Sequence, residues 1–349
     1  MPRLRQVDCS APGIIRRPRG RGFEYLDLSG KRIDDAEVLQ RIKDLAIPPA
    51  WKGVWICPQA NGHLQAVGTD AAGRKQYLYH ERWRQRRDLE KFDRMIEFAE
   101  ELPALRKTIA GHLSLQGFPR ERVLACAVRL LDRGFFRIGS EDYAEENQTY
   151  GLATMKKRHA TVEGHLVEFK YRSKGGQRRI QSIVDPPVAE IVAALRKRRS
   201  GGDELLAYKQ LRRWVDVRSS DINDYIKETT RGEFTSKDFR TWNATVLCAV
   251  ALAVSGEMIA SKTGRKRAMA RAAKEVAHYL GNTPAVCRSA YIDPRVFDRY
   301  RSRWTVAPAL EQLGEGAVFG DLATQGAIES AVLDLLERRL DSSSVEKVA

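Results

Sequence analysis

The chain lacks the cysteine pairs that would make a disulfide framework or a metal knuckle. Its five cysteines, Cys9, Cys57, Cys126, Cys248 and Cys287, are odd in number, far apart and without a C-x-x-C. That pattern fits reduced thiols in a cytosolic protein. The six histidines, His63, His80, His112, His159, His165 and His278, form neither an H-E-x-x-H nor a cluster with cysteine, so no zinc site is expected. The Walker A pattern is missing too, which removes the commonest signature of an ATP site. No hydrophobic run is long enough to cross a bilayer; the most apolar stretch, 244–254, reads as a buried core helix. Residues 1–22 are Arg-rich and have no apolar signal core. These absences set the expectation of a cytoplasmic protein, off the membrane, using neither metal nor nucleotide cofactor.

What the chain has is positive charge. Its 349 residues hold 60 Lys+Arg against 45 Asp+Glu, a net +15, with 43% hydrophobic residues. The apolar fraction supports a sizeable core, and the length allows two or three domains. A pI near 9.7 favours a polyanionic partner. The charge is uneven: residues 1–90 carry +6, 91–304 carry +14 and 305–349 carry −5. The footprint of the partner is therefore expected in the middle of the chain.

Periodicity divides the chain in the same places. Residues 1–90 alternate in short runs at 22–28, 54–56, 64–68 and 76–79, with one helical pattern at 35–45 stopped by Pro48-Pro49. A long charged helix is predicted over 81–101, with a domain boundary near 90. Helical spacing returns at 120–133, 187–197, 220–228, 236–255, 265–280 and 328–340. Between 161 and 184 the period drops to two, which predicts a β-hairpin turning at Ser173-Lys174-Gly175-Gly176. The fold class is α+β: a small sheet-rich domain at 1–90, a larger mostly α domain at 91–304 with a β-hairpin insert, and an acidic helix and tail at 305–349.

Five local patterns carry candidate chemistry, and each also has a plainer reading. In Gly73-Arg74-Lys75-Gln76-Tyr77-Leu78-Tyr79, Tyr77 and Tyr79 share one strand face. They suit sugars or bases, as the cations suit phosphates and Gln76 a base edge, but they would equally suit a core. Arg137, in Arg133-Gly134-Phe135-Phe136-Arg137-Ile138-Gly139, can clamp a phosphate or lie on a helix end as a surface residue. Lys174, on a Gly-rich tip, can reach into a groove to deliver a proton or simply be exposed. Lys237 and Arg240 lie three apart, on one helix face near a helix start, as an anion site or a solvated basic face. Asn282 follows Gly281 at a helix end, and Tyr291 stands nine residues on, as a nucleophile or a packed aromatic.

Taken in order, Arg137, Lys174, Arg240, Asn282 and Tyr291 resemble the catalytic series of the type IB DNA topoisomerases, specifically the small bacterial enzymes akin to the poxvirus one. The resemblance also takes in Gly13-Ile14-Ile15-Arg16-Arg17, Gly22-Phe23-Glu24-Tyr25, Ile47-Pro48-Pro49-Ala50-Trp51, the 237–242 block and Ser289-Ala290-Tyr291-Ile292-Asp293-Pro294. It extends over the chain to about 304. It implies a catalytic domain of the DNA breaking-rejoining, tyrosine recombinase-like type. It implies that one strand is cut by tyrosine attack on phosphorus, leaving a 3′-phosphotyrosine and a 5′-hydroxyl, that the strand swivels, and that the reverse attack reseals it without ATP or metal. Tyr291 matches the nucleophile, Arg137 and Arg240 the phosphate-binding arginines, Lys174 the general acid, and Lys237 a supporting cation. Arg74, Gln76, Tyr77, Tyr79, Arg87 and Tyr143 match positions that contact duplex DNA. The implied protein is a monomer closing as a two-domain clamp on nucleoid DNA in the cytoplasm. One departure stands at Asn282, where many relatives carry histidine. An amide cannot transfer the proton, but its NH₂ can bind a phosphate oxygen.

Two rival readings share part of this pattern. A tyrosine site-specific recombinase usually shows H-x-x-R where this chain has Lys237-Asp238-Phe239-Arg240, and usually begins with a helical domain. A non-enzymatic DNA-binding protein on the same scaffold would require a broken catalytic set, whereas all five positions here are chemically competent.

Overall fold

The computed structural model describes residues 3–256, 260–314 and 325–348. Two structural units follow one another along the chain, Met1–Lys91 and Phe92–Ala349. The first contains β1 (Ile14–Arg19), β2 (Gly22–Leu26), α1 (Ala36–Asp44), β3 (Lys52–Ile56), β4 (Leu64–Thr69) and β5 (Lys75–Tyr79). The strands make one antiparallel sheet in the order β2-β1-β3-β4-β5. Each of its faces carries a cluster of packed residues. Ile14, Val54, Ile56 and Ala66 pack with Ile42 of α1, while Trp55, Cys57, Leu64 and Val67 pack with Val7 and Cys9. Helix α1 starts where the sequence predicts, because the Asp35 carboxylate accepts the N–H groups of Glu37 and Val38. Arg16 is buried, and its guanidinium donates to the carbonyls of Pro48 at 3.1 Å and Trp51 at 2.6 Å. The Ile-Pro-Pro-Ala-Trp turn is thus built around a buried arginine of β1.

The division falls inside α2 (Glu81–Leu113). This helix runs well beyond the predicted 81–101, straight through Pro103. Proline removes one helical hydrogen bond, but Ala99, Leu102, Leu105 and Ile109 on either side are buried, and that packing overrides the local break.

The second unit continues with α3 (Arg120–Gly134), α4 (Glu141–Asn147), β6 (Ala160–Glu163), β7 (Leu166–Arg172), β8 (Arg178–Val184) and α5 (Pro186–Lys197). Then come β9 (Ala207–Gln210), β10 (Arg213–Asp216), α6 (Ser219–Thr229), α7 (Ser236–Ala253), α8 (Lys262–Leu280) and α9 (Pro284–Ala290). The chain closes with α10 (Pro294–Arg301), β11 (Trp304–Thr305), α11 (Ala307–Gly314), α12 (Ala327–Glu337) and β12 (Glu346–Lys347). Helix α7 runs through the core, with Phe239, Trp242, Ala244, Val246 and Cys248 fully or almost fully buried. Its N-terminus is a capping box: Asp238 accepts the Thr235 N–H at 2.7 Å, and the Asp238 N–H donates back to the Thr235 carbonyl at 2.9 Å.

The predicted hairpin proves to be a three-stranded sheet, β6-β7-β8. The chain turns once more at Gly164, whose φ of +57° lies in the left-handed region, and so splits the long first arm into two strands. The acidic stretch set apart in the sequence at 305–349 belongs to the second unit, where α12 packs against α7, α10 and α11.

Candidate active site

Four of the five proposed catalytic side chains line one pocket of about 360 Å³ in the second unit. They are Arg137, Lys174, Arg240 and Tyr291, joined there by Lys237 and Tyr150. Asn282 reaches the group from one side, its Oδ1 accepting a hydrogen bond from Arg137.

The arginines are held by helix ends. Arg240, only 5% exposed, bridges two of them: Nη1 donates to the Phe135 carbonyl after α3 at 2.8 Å, and Nη2 to the Leu280 carbonyl closing α8 at 3.0 Å. Arg137 donates to the Gly281 carbonyl at 3.0 Å. The terminal carbonyls of a helix lack partners and carry the negative end of its dipole, so cations settle there. Arg137 itself sits in an irregular segment after α3. The N–H groups of Leu152 and Ala153 donate to the carbonyls of Arg137 and Ile138 at 2.8 and 2.7 Å. A Cβ on Gly151 would stand 2.4 Å from the Gly139 backbone, so this pairing needs glycine.

Burial and repulsion from Arg137 push the Arg240 guanidinium down to about 10. A helix terminus offers roughly 0.3–2 kcal/mol, while taking a charge out of water costs several, so burial prevails. Arg240 still carries its charge at neutral pH.

Tyr291 occupies the short connector between α9 and α10. Its carbonyl accepts from Thr245 of α7 at 3.4 Å, and the Asp293 N–H donates to the same threonine hydroxyl at 3.1 Å. Buried Asp293 caps α10, accepting from the Arg295 N–H at 2.8 Å, with Pro294 at the first helical position. That is the structural content of the Tyr-Ile-Asp-Pro motif. The Arg240 guanidinium carbon stands 5.2 Å from the Tyr291 ring centre. Burial pushes the Tyr291 hydroxyl up, but the positive charge of Arg240, with that of Arg137 and Lys237, outweighs it and holds it below the ordinary tyrosine value. A second tyrosine near these cations behaves oppositely. Burial pushes Tyr171 up to about 12 despite Arg179, Arg240 and Arg137. Of the two phenols, Tyr291 is the one prepared to ionise.

Two buried donors in this cluster are left for a ligand. Arg240 Nε has no partner, and Asn282 Nδ2 has none but the neighbouring Cys287 thiol, a weak acceptor. Donors and cations around a nucleophile suit an anion with several oxygens. Lys174 is exposed at the tip of the β7-β8 turn, where Gly175 and Gly176 adopt φ of +78° and +73°. Lys237 is exposed at the start of α7.

The first unit presents a different surface. Tyr77 and Tyr79 are 43% and 40% exposed on edge strand β5, their rings stacked with centroids 6.2 Å apart. They are not core residues. Arg74 Nε and Gln76 Nε2 donate to the same Asp70 carboxylate oxygen at 3.0 and 2.9 Å. Arg87 is exposed on α2 and pairs with Glu90 at 3.0 Å. Tyr143 falls on α4, with its side chain outside the described residues. Sequence reading missed Asp70, whose position four residues before Arg74 was the available signal, and missed Arg179, considered below.

Comparison with known proteins agrees with this geometry. Residues 80–308 match the family model for the eukaryotic DNA topoisomerase I catalytic core. Residues 22–70 match the model for the bacterial DNA topoisomerase IB N-terminal domain. The chain is similar to a DNA topoisomerase 1B of Acanthamoeba polyphaga mimivirus, 30% identical over 297 residues that make up 83% of this chain and 88% of that protein. It is also similar to the DNA topoisomerase 1B of vaccinia virus, 22% identical over 278 residues, 76% of this chain and 82% of that one. A carrot DNA topoisomerase 1 is 29% identical over 129 residues, 36% of this chain and 15% of its own length.

Proposed function

The chain belongs to the type IB DNA topoisomerase family, and we propose that it relaxes supercoiled duplex DNA through a covalent intermediate on Tyr291. The Tyr291 oxygen bonds to the phosphorus in line with the 5′-oxygen, and the P–O5′ bond breaks. Lys174 gives its proton to the departing 5′-oxygen, and water takes the tyrosine proton. Arg137 and Arg240 stabilise the charge growing on the non-bridging oxygens. The Asn282 NH₂ donates to one of those oxygens and moves no proton. Because the phosphotyrosine keeps the bond energy, resealing needs neither ATP nor metal. Arg74, Gln76, Tyr77, Tyr79, Arg87, Tyr143 and Lys237 contact the duplex. The enzyme acts as a monomer on DNA in the cytoplasm.

The observation that carries this reading is the environment of Tyr291. Its hydroxyl is brought below its usual pKa by Arg240, Arg137 and Lys237, beside an unpartnered Arg240 Nε and an Asn282 NH₂ that meets a weak thiol acceptor. The recombinase alternative gains nothing, since the first unit is built on a five-stranded antiparallel sheet. The test is plasmid relaxation in EDTA without ATP. The wild-type chain relaxes supercoils of both signs, and Tyr291→Phe relaxes none. A requirement for ATP or Mg²⁺, or activity surviving in Tyr291→Phe, overturns the proposal.

A further inference from the structure

The β7-β8 turn that carries Lys174 is fastened to the platform that holds the two phosphate-facing arginines. The fastening is made by one residue of β8. Arg179 donates from Nη1 to the His278 carbonyl at 2.8 Å and from Nη2 to the Tyr279 carbonyl. With Arg240 on Leu280 and Arg137 on Gly281, three guanidiniums take four successive carbonyls at the end of α8. Gly281 is packed beneath the Arg179 guanidinium, which a Cβ there would approach to 3.2 Å. On the same sheet face, Gln181 donates to the Gly134 carbonyl, next to the Phe135 carbonyl that holds Arg240, and accepts from the hydroxyl of Tyr171, the strand neighbour of Arg179. The hairpin is therefore clipped at both helix ends that fix Arg240. Both terminal nitrogens of Arg179 hold backbone carbonyls of α8.

Lys174 has no such anchor. It is exposed, on a turn with two left-handed glycines, five residues before Arg179. A general acid must reach within hydrogen-bond distance of the leaving oxygen, and a misplacement of about 1 Å can cost roughly a hundredfold in rate. We infer that Arg179 is a positioning residue for Lys174, tying the hairpin to the α8 C-terminus so that the lysine docks at the leaving 5′-oxygen. This rests on the general-acid reading of Lys174 proposed above.

The test compares single-turnover cleavage of two duplexes, one with the ordinary scissile phosphodiester and one with sulfur in place of its bridging 5′-oxygen. A thiolate leaves without protonation, so sulfur removes the need for the acid. Arg179→Ala is expected to slow cleavage of the ordinary substrate by about 10- to 100-fold and to recover most of that loss on the sulfur substrate, as Lys174→Ala does. Arg179→Gln, which keeps one donor for the carbonyls, is expected to lose less and to recover equally. The double variant Lys174→Ala with Arg179→Ala is expected to be no slower on the ordinary substrate than Lys174→Ala alone, because both changes remove one function. If Lys174→Ala recovers on sulfur and the Arg179 variants do not, or if the double variant multiplies the losses, the positioning role is wrong. If Lys174→Ala itself fails to recover, the general-acid reading falls, and the role inferred for Arg179 falls with it.

Discussion

At the scale of single residues, the site is an arrangement of opposing effects on a few titratable groups. Burial acts against charge on both Arg240 and Tyr291. It lowers the first to about 10, while the surrounding cations reverse its effect on the second. This dictates how cleavage depends on pH. The rate rises as Tyr291 loses its proton, below the range of an ordinary tyrosine, and falls above about 10 as Arg240 loses its charge. Measured on the bridging-sulfur substrate, the falling limb excludes titration of Lys174 as the acid. Arg137→Gln removes a repulsion from Arg240 and an attraction from Tyr291, so the pKa of each rises and both limbs move to higher pH. The rate itself should drop by about 10²–10³. Limbs that stay in place, or move to lower pH, contradict the electrostatic account.

The candidate site residues were picked out by their order along the chain: an arginine after a helix, a lysine on a glycine turn and a tyrosine before a helix cap each had a plainer reading alone, and only the series resembled that of the type IB topoisomerases. Arg179 and Asp70 were not, because their roles arise only across distance. Arg179 meets carbonyls a hundred residues away along the chain, and no local period marks that. The same limit applied to Tyr77 and Tyr79. Alternation placed them on one face but could not say that the face belongs to an uncovered edge strand.

At the scale of elements, periodicity found the longer helices, missed short ones such as α10 (Pro294–Arg301), and stumbled where tertiary packing overruled local signals. Helix α2 passes Pro103, and Gly164 turns one strand into two. The acidic C-terminal segment is the clearest case. Its helix was visible in the sequence and its docking was not. Glu329 of α12 accepts from Arg106 of α2 at 2.5 and 2.9 Å and from the Trp242 indole of α7 at 2.8 Å. Arg106 also donates to Asp132 of α3 at 2.8 and 2.9 Å. The helices so joined include the two that flank Arg137 and carry Arg240. Removing one partner of a buried pair leaves the rest uncompensated, so Glu329→Ala should destabilise the second unit by on the order of 3 kcal/mol, read by urea unfolding. A loss below about 0.5 kcal/mol, as for a surface change, would mean that α12 is only an appendage.

At the scale of the whole molecule, the net +15 is a statement about duplex DNA. Each phosphate neutralised adds about −0.9 to the slope of log affinity against log salt. Affinity should therefore fall steeply between low and physiological salt. Within that dependence the two units differ in kind. Tyr77→Ala with Tyr79→Ala removes exposed rings and no charge, and should weaken binding roughly tenfold or more while leaving the salt slope unchanged. Lys237→Ala should make the slope shallower by about one phosphate. A tyrosine double variant with a changed slope, or with unchanged affinity, would show that the β5 face is not a DNA surface.

The central claim is that Tyr291 carries the broken strand. It is tested most directly by trapping the covalent complex on a nicked duplex that loses its 5′ fragment after cleavage, digesting it, and locating the nucleotide-bearing peptide by mass. The account predicts a single adduct, on Tyr291, joined to the 3′-phosphate and formed in EDTA. An adduct on Tyr171 or any other residue, linkage to a 5′-phosphate, or no adduct from an enzyme that relaxes plasmids would contradict it.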